Sequence, residues 1–315
     1  MRDITGKQLS LRTASAAGVL FCSEETIGLI KDQALPKGNL FDVARAAGFL
    51  GAKLTPQLLP HCHPVTIDGL DLTFEFLDPG LHGELLDSTA LSRTGILIRG
   101  HARSIGRTGI EMELLTAVSV AALELYDMLK PVDTRLEIGH IRLLEKEGGK
   151  SDRNRFDTAV TCAVLVCSDS AAAGRREDKS GKLIVELLGK TRATVADYRV
   201  VPDDRDAIQA VIRQWAGDGV GFVFTTGGTG LGPRDVTSEA VRELLDREAP
   251  GIAEAIRTHG QMRTPLAMMS RSVAGTIGKT LVVTLPGSAS GVRESLEAIL
   301  PAVFHAAGIL EGGGH

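Results

Sequence analysis

The sequence predicts two domains, an α+β unit built on an antiparallel sheet followed by an α/β unit whose mostly parallel sheet is covered by helices. Three observations predict this. Stretches of the first half alternate apolar and polar residues, the period-two pattern of strands with one wet face. From Thr161 onward, short β-branched runs alternate with helical patterns, as in strand–helix–strand units. The 315 residues, 43% of them hydrophobic, suffice for two ordinary cores.

In the first half, Val65, Ile67, Leu70, Leu72, Phe74 and Phe76 alternate with polar neighbours, and residues 96–103 and 136–143 do likewise. Helices are expected on the apolar face of such a sheet. The longest is read from about Gly109 to Leu129, with Leu114, Val118, Ala121, Leu125 and Met128 on one stripe. The fold class expected for this unit is ferredoxin-like. Polar residues 147–157, with Gly148 and Gly149, mark the junction, so the domains are read as 1–155 and 156–315. In the second half the strands are read at Thr161–Cys167, Asp197–Val201, Val220–Thr225 and Thr280–Leu285. Each leads into a polar or glycine-rich loop and then a helix. Ligands of such sheets lie beyond the carboxyl ends of the strands, so the loops at Ser168, Pro202–Asp204, Thr226–Asp235 and Pro286–Ser288 are expected on one rim.

Charge and composition narrow the function. The net charge is −4, with 18 Lys+Arg against 20 Asp+Glu in residues 1–155 and 17 against 19 in the remainder. Neither half has the basic excess of a nucleic-acid binder, and aromatics at 4% leave few stacking platforms. No long apolar run or basic-then-apolar leader is present, so a cytoplasmic protein without a membrane partner is expected. Four scattered cysteines make no disulfide framework, and Cys162 and Cys167 read as core thiols on opposite faces of a strand. His61, Cys62 and His63, if extended, also point to opposite faces, which argues against zinc. Three closely spaced cysteines for an iron–sulfur cluster are absent. Residues 149–151 end like a phosphate loop, but Leu144 stands at the first glycine position, so no ATP-type loop is read.

The most informative segment is 222–237, where an apolar strand runs into a glycine-dense loop before a helix read as starting at Ser238, capped by Thr237, with Glu239 in its first turn. Gly227, Gly228, Gly230 and Gly232, with Thr226 and Thr229 between them, allow a phosphate or flat polar ring to approach the main chain. A plain turn is the alternative. Asp235 follows where a ligand would lie. Asp203 reads either as a helix cap or, with Asp235, as a carboxylate pair for Mg²⁺ on a nucleotide's phosphates. Ser168, Asp178–Gly181, Ser270–Arg271, and Pro286–Gly287 complete the candidate site.

In the first half, Glu111 and Glu113 open the long helix, where the dipole favours carboxylates whether or not they have another role. Asp127 and Lys130, three apart at its far end, form either a solvated ion pair or, if partly buried, an acid/base pair. Arg99, His101 and Arg103 alternate along one strand, as a triphosphate cradle or an ordinary wet face.

These residues, with Arg12–Ala14, Lys37–Gly38, Ala44–Arg45, Gly51–Lys53, the 59–64 run LPHCHP and the 147–150 run EGGK, resemble the cyclic pyranopterin monophosphate synthase family over about residues 1–151. The resemblance implies conversion of cyclised dihydro-GTP to the cyclic pyranopterin with loss of diphosphate, and no cofactor. It implies a pocket of Lys53, His63, Glu111, Met112, Glu113, Asp127 and Lys130. Lys130 and Asp127 would transfer protons, Lys53 would hold the phosphate or ring, and His63 and the glutamates would position substrate. Arg99, His101, Arg103 and Lys150 are the candidates for substrate phosphate. His61, Leu129, Pro131 and Asp152 depart from the family pattern.

Residues 159–308 are similar to the molybdopterin-binding family, through Thr225–Gly230 and Arg234–Thr237. That resemblance implies binding of molybdopterin, and in one branch its adenylylation with Mg-ATP. It places Ser168, Asp203, Thr226, Gly227, Gly228, Thr229, Gly230, Asp235, Ser270, Pro286 and Gly287 at the ligand, with Asp203 and Asp235 on the metal. The alternative is a non-catalytic binding or scaffold module. The paired resemblances imply hexamers for the first unit and trimers for the second, compatible through a shared threefold axis.

Overall fold

The computed structural model describes residues 1–36, 38–78, 82, 92–149 and 158–313. Lys37, Lys150, Asp152 and most of the 147–157 junction lie outside the described residues. The chain divides into two compact units, Met1–Ser151 and Asp152–His315.

The first unit contains β1 (Ser10–Phe21), α1 (Glu24–Lys31), α2 (Leu40–Leu58), β2 (Gly69–Phe76), β3 (Gly95–Gly106), α3 (Glu111–Leu129) and β4 (Glu137–Glu147). Its sheet has the order β2–β3–β1–β4, antiparallel throughout, so the α+β expectation holds. Sequence reading overlooked β1, although it is the strand paired along its whole length, from Ser10 opposite Gly106 to Phe21 opposite Gly95. Its small residues and its continuous burial from Ala16 to Phe21 erase the alternation by which a half-wet strand is recognised. Ala14, Ala16 and Leu20 join Ile96, Ile98 and Leu72 beneath α2 and α3, whereas Ala17, Val19, Phe21 and Leu97 form a second small cluster.

Helix α2 was not anticipated either, yet at 19 residues it equals α3. It starts at Asn39, whose side chain accepts from the Asp42 N–H at 3.3 Å, and packs closely on α3. A Cβ on Gly51 would fall 2.7 Å from Val120 Cγ2, so only glycine permits this approach. Along α3, Leu114, Ala117, Val118, Ala121, Leu125 and Met128 are buried, as the 3.6-residue stripe requires.

The second unit contains β5 (Val160–Cys167), α4 (Asp169–Ala172), α5 (Ser180–Leu188), β6 (Ala193–Val201), α6 (Arg205–Gly217), β7 (Phe222–Thr226), α7 (Thr237–Arg242), β8 (Arg247–Glu248), α8 (Pro250–Gln261), β9 (Ala274–Ile277), β10 (Thr280–Leu285), α9 (Ala289–Ile299) and α10 (Ala306–Leu310). The sheet order is β6–β5–β7–β10–β9–β8. The four anticipated strands are parallel neighbours, and β9 and β8 add an antiparallel edge missed in the sequence.

Helices cover both faces. On one, Cys162, Val164, Phe224 and Val283 pack under α5, α8 and α9; on the other, Ala163, Leu165, Cys167 and Val223 pack under α6 and α7. Cys162 and Cys167 are thus core thiols on opposite faces, and burial pushes both up to about 12. Among the described residues no helix is long and apolar enough to cross a membrane.

Candidate functional site

In the first unit the anticipated residues fall into three groups. The first lies at the start of α3. Glu113 is buried at 3% exposure, and its carboxyl is raised by burial and by Glu111, against a hydrogen bond to its own backbone N–H. Both glutamates, after burial, raise the Cys62 thiol, which brings the 61–63 run close to this helix end. That run leaves a turn, closed by the Cys62 N–H on Leu59 O at 2.9 Å, and lies in no strand. His63 is half-buried beside it, while Met112 and Lys53 are exposed. Among the described residues no group of three or more His, Cys, Asp or Glu is arranged for a metal.

The second group is Asp127 and Lys130, joined at 2.6 Å with side chains 51% and 56% exposed. This is the solvated pair. The hydrogen bond and charge of Asp127 raise the lysine's pKa, so in this arrangement Lys130 holds its proton. Nineteen residues of helix correspond to about 27 Å, so Lys130 cannot meet Glu113 within one chain.

The third group is on β3. Arg99, His101 and Arg103 alternate with Gly100 and Ala102, which lie under the helices. A Cβ on Gly100 would meet Leu114 Cδ1 at 2.6 Å. The cationic side chains therefore occupy the sheet's other face. There His101 Nδ1 is 3.2 Å from Ser15 Oγ, and Arg99 Nε is 3.7 Å from Glu75 Oε1. Lys150 lies outside the described residues.

Two charged side chains near the α3 start were not among the site residues read from the sequence, although Arg12 was quoted in the family pattern. Lys146 Nζ lies 3.4 Å from Glu111 Oε1. Arg12, only 7% exposed, donates from Nε to Gly106 O at 3.2 Å. Arg12 was legible in principle, because it falls on the apolar phase of β1 with Ala14 and Ala16.

The second unit gathers its loops. The chain passes from β5 to β6 on one side and later returns to β7 on the other, and ligands of open α/β sheets sit beyond the carboxyl edge at such a reversal. A cavity of about 470 Å³ opens there, lined by Ser168, Asp203, Thr226, Gly227, Gly228 and Gly287 of the anticipated set. Asp178, Lys179 and Ser180 also line it. Asp178 belongs to the candidate site read from the sequence, though the resemblance gave it no role. Burial favours its neutral form, but hydrogen bonds from Tyr198, the Gly181 N–H and Ser180 outweigh this and lower its pKa. Gly227 and Gly228 adopt φ of +97° and +63°, the left-handed region that glycine tolerates.

Asp203 does not cap α6; Asp204 does, accepting from the Ala207 N–H at 2.9 Å. Instead Asp203 and Asp169 exchange bonds, each carboxylate accepting the other's backbone N–H at 3.1 Å. Burial raises the Asp203 carboxyl, its bond from the Asp169 N–H lowers it, and the charges of Asp169 and Asp235 raise it again. Arg234 pairs with Asp169. Asp203 thus has its charged form disfavoured by burial and by two neighbouring carboxylates, a setting a hard cation would relieve. Asp203 and Asp235 fit Mg²⁺ in this sense, with phosphate oxygens and water supplying the other ligands.

Thr237 is the first helical residue rather than the cap; Val236 holds the cap position without a side-chain bond, and the Thr237 N–H donates to Gly228 O at 3.1 Å. Thr229 is buried at 4% exposure. Asp235 Oδ2 accepts the Gly232 N–H at 2.8 Å and so shapes its own turn. Ser270 and Pro286 line a second cavity of about 390 Å³ between α8 and the start of α9. Ser288 borders both cavities, and Thr226 Oγ1 donates to Pro286 O at 2.8 Å.

Comparison with known proteins agrees with this division. A model described as the MoaC family matches residues 1–149, and one described as a "probable molybdopterin binding domain" matches residues 163–305. The chain is 42% identical over 315 residues to a molybdenum cofactor biosynthesis bifunctional protein of Chlorobaculum tepidum, covering 100% of this chain and 96% of that protein. It is 39% identical over 327 residues to a protein of the same name from Synechococcus elongatus, covering 100% and 98%. A cyclic pyranopterin monophosphate synthase of Pelotomaculum thermopropionicum is 44% identical over 151 residues, or 48% of this chain and 81% of that enzyme.

Proposed function

This chain belongs to the family of molybdenum cofactor biosynthesis bifunctional proteins, and from that premise we propose a specific chemistry for each unit. The first converts cyclised dihydro-GTP to cyclic pyranopterin monophosphate and releases diphosphate. The second binds molybdopterin and adenylates it with Mg-ATP. The observation that carries the second assignment is the cavity shared by Asp203 and the Gly227 turn at the sheet reversal.

In the first unit, Glu113 is the carboxyl whose neutral form the fold favours, because burial and the charge of Glu111 both raise its pKa. His63 orients substrate beside it, and Lys53 and Arg99, His101, Arg103 and Lys150 take the phosphates. Lys130, kept protonated by Asp127, donates to the departing oxygen. The separation of Lys130 from Glu113 is bridged by a second copy, so that each pocket draws on two chains. Homo-oligomerisation with threefold symmetry follows as part of this reading.

In the second unit, the N–H groups of the glycine loop hold phosphate oxygens. Bound Mg²⁺ would neutralise charge on the nucleotide's phosphates, with Asp203 and Asp235 as its protein ligands. A molybdopterin phosphate oxygen attacks the α-phosphorus of ATP, and diphosphate leaves with the electron pair of the broken P–O bond. The loop-shaping bond of Asp235 to Gly232 favours a second reading, a binding module without turnover.

The test uses the full chain. Incubated with cyclised dihydro-GTP it should release diphosphate, and no release removes the first activity. Given molybdopterin and Mg-ATP it should form adenylylated molybdopterin. Equal product from Asp203→Ala and Asp235→Ala would overturn the carboxylate role, and no product from the unaltered chain would leave the binding module.

A further inference from the structure

We propose that Arg271 is the positioning residue of the glycine loop, setting the directions of the peptide groups that meet the ligand of the second unit. The inference rests on the nucleotide site proposed above and gives a role to a residue that no step of that proposal uses. Arg271 lies between the turn Pro265–Met269 and β9 and reaches back 41 residues to donate from Nε to Gly230 O at 2.6 Å. Its Nη2 donates to Asp235 O at 2.6 Å, and its Nη1 pairs with the Glu239 carboxylate in the first turn of α7. Its backbone N–H donates to Thr229 O at 2.9 Å. One residue therefore holds the loop before its tip, after its tip and at the helix that follows.

The remaining tethers of this loop act elsewhere. Gly227 N bonds Leu285 O at 3.3 Å and Thr237 N bonds Gly228 O at 3.1 Å, fixing the two ends. Gly232 and Asp235 close the tip on each other. The peptides after Thr229, Gly230 and Asp235 are oriented by Arg271. Because a trans peptide is planar, its N–H points opposite to its carbonyl. Drawing these three carbonyls toward Arg271 turns the N–H groups of Gly230, Leu231 and Val236 away from it, leaving them as donors for an anion. The fork geometry is essential, since guanidinium serves two carbonyls and a carboxylate in one plane whereas an ammonium is a point donor. All three guanidinium nitrogens are engaged within the loop and α7, so Arg271 acts through the main chain and touches no reacting atom.

The support for Arg271 is itself rigid. Two residues on, the Val273 N–H donates to Thr284 Oγ1 at 2.7 Å inside the sheet, so loop position is referenced to β10.

Arg271→Lys in the full chain is the test, read first without ligand. Hydrogen exchange at the bonded amides of Gly232, Asp235 and Thr237 should quicken at least tenfold while β7 and β10 stay protected. Mg-ATP should then bind about tenfold more weakly, and in turnover KM for Mg-ATP should rise about tenfold with kcat within about twofold. Should Arg271→Lys fail to fold, Glu239→Ala, which removes only the anchor of Nη1, should show the same pattern at smaller size. Unchanged exchange in the loop, or a loosened loop with unaltered Mg-ATP affinity, overturns the proposal. The exchange result does not depend on ligand, so an unaltered chain that binds no Mg-ATP would sink the nucleotide reading and leave the exchange to judge Arg271.

Discussion

The second unit draws its ionisable and glycine residues around one cavity within a single chain, whereas the first sets Glu111 and Glu113 at one end of α3 and Asp127 and Lys130 at the other. The difference follows from sheet type. Parallel strands all end on the same edge, so residues far apart in sequence, such as Ser168, Asp203, Gly227 and Gly287, converge without further arrangement. In the antiparallel unit successive strands end on opposite edges, and a 19-residue helix spans the distance between them. A site can be self-contained in the first case, whereas in the second the proposed pocket draws on a second copy.

The largest expected effect tests that contrast directly. Lys130→Ala and His63→Ala should each lower diphosphate release by about 10²–10⁴-fold, and co-assembling the two variants should restore part of it, because a mixed pair of chains regains one intact pocket. A dead mixture of two well-folded variants would place both residues in one chain's pocket and break the comparison. The second unit should behave oppositely: Asp203→Ala and Asp235→Ala should each cut adenylylated product by about 10²-fold, and their mixture should stay near the mean of the two, since the proposed metal site takes both carboxylates from one chain.

Smaller effects sharpen the structural side. Gly227→Ala introduces a side chain at φ +97° and against the Cys167 carbonyl, and should cost about 1–3 kcal/mol. The loss is read in urea from Trp215, the chain's one tryptophan, which is 2% exposed in the second unit. In the first unit, Asp133 is buried at 6% exposure and accepts from the Ser23 N–H, the Arg135 N–H and Thr26 Oγ1, each at 2.8 Å. Burial alone would raise this carboxyl, but the donors outweigh it and hold it at about 2, below the ordinary 3.8. A depressed carboxyl stabilises above its unfolded value, so this contribution is complete above pH 3.8 and disappears as pH falls toward 2. Asp133→Asn should cost about 2 kcal/mol at pH 7 and much less near pH 2, as followed by circular dichroism. An equal loss at both would mean that shape rather than charge anchors α1.

Much of the fold was legible because period and polarity report burial on one side. The four strands that became the parallel core, and the stripe from Leu114 to Met128, were visible for that reason. What escaped was built from residues without contrast. In β1, the run from Ala14 to Gly18 has no apolar–polar alternation to read, and β8 and β9 are two and four residues long. Local propensity also left detail wrong or open: Thr237 lies inside its helix, and of the two readings of Asp203 the cap falls to Asp204. Either neighbour had the chemistry to cap, and only packing chose between them.

Sequence alone determined which groups this protein has and how they are spaced along each element: glycines where the backbone must turn left-handed, carboxylates after strands, cations on one phase of β3. Those are local properties, set by side-chain chemistry and the two- or 3.6-residue repeat. Tertiary structure decided which of those groups meet. The hold of Arg271 on a loop 41 residues away and the mutual bonds of Asp169 and Asp203 both depend on distances between elements. Such distances arise from core packing and strand order, which no single stretch of chain encodes.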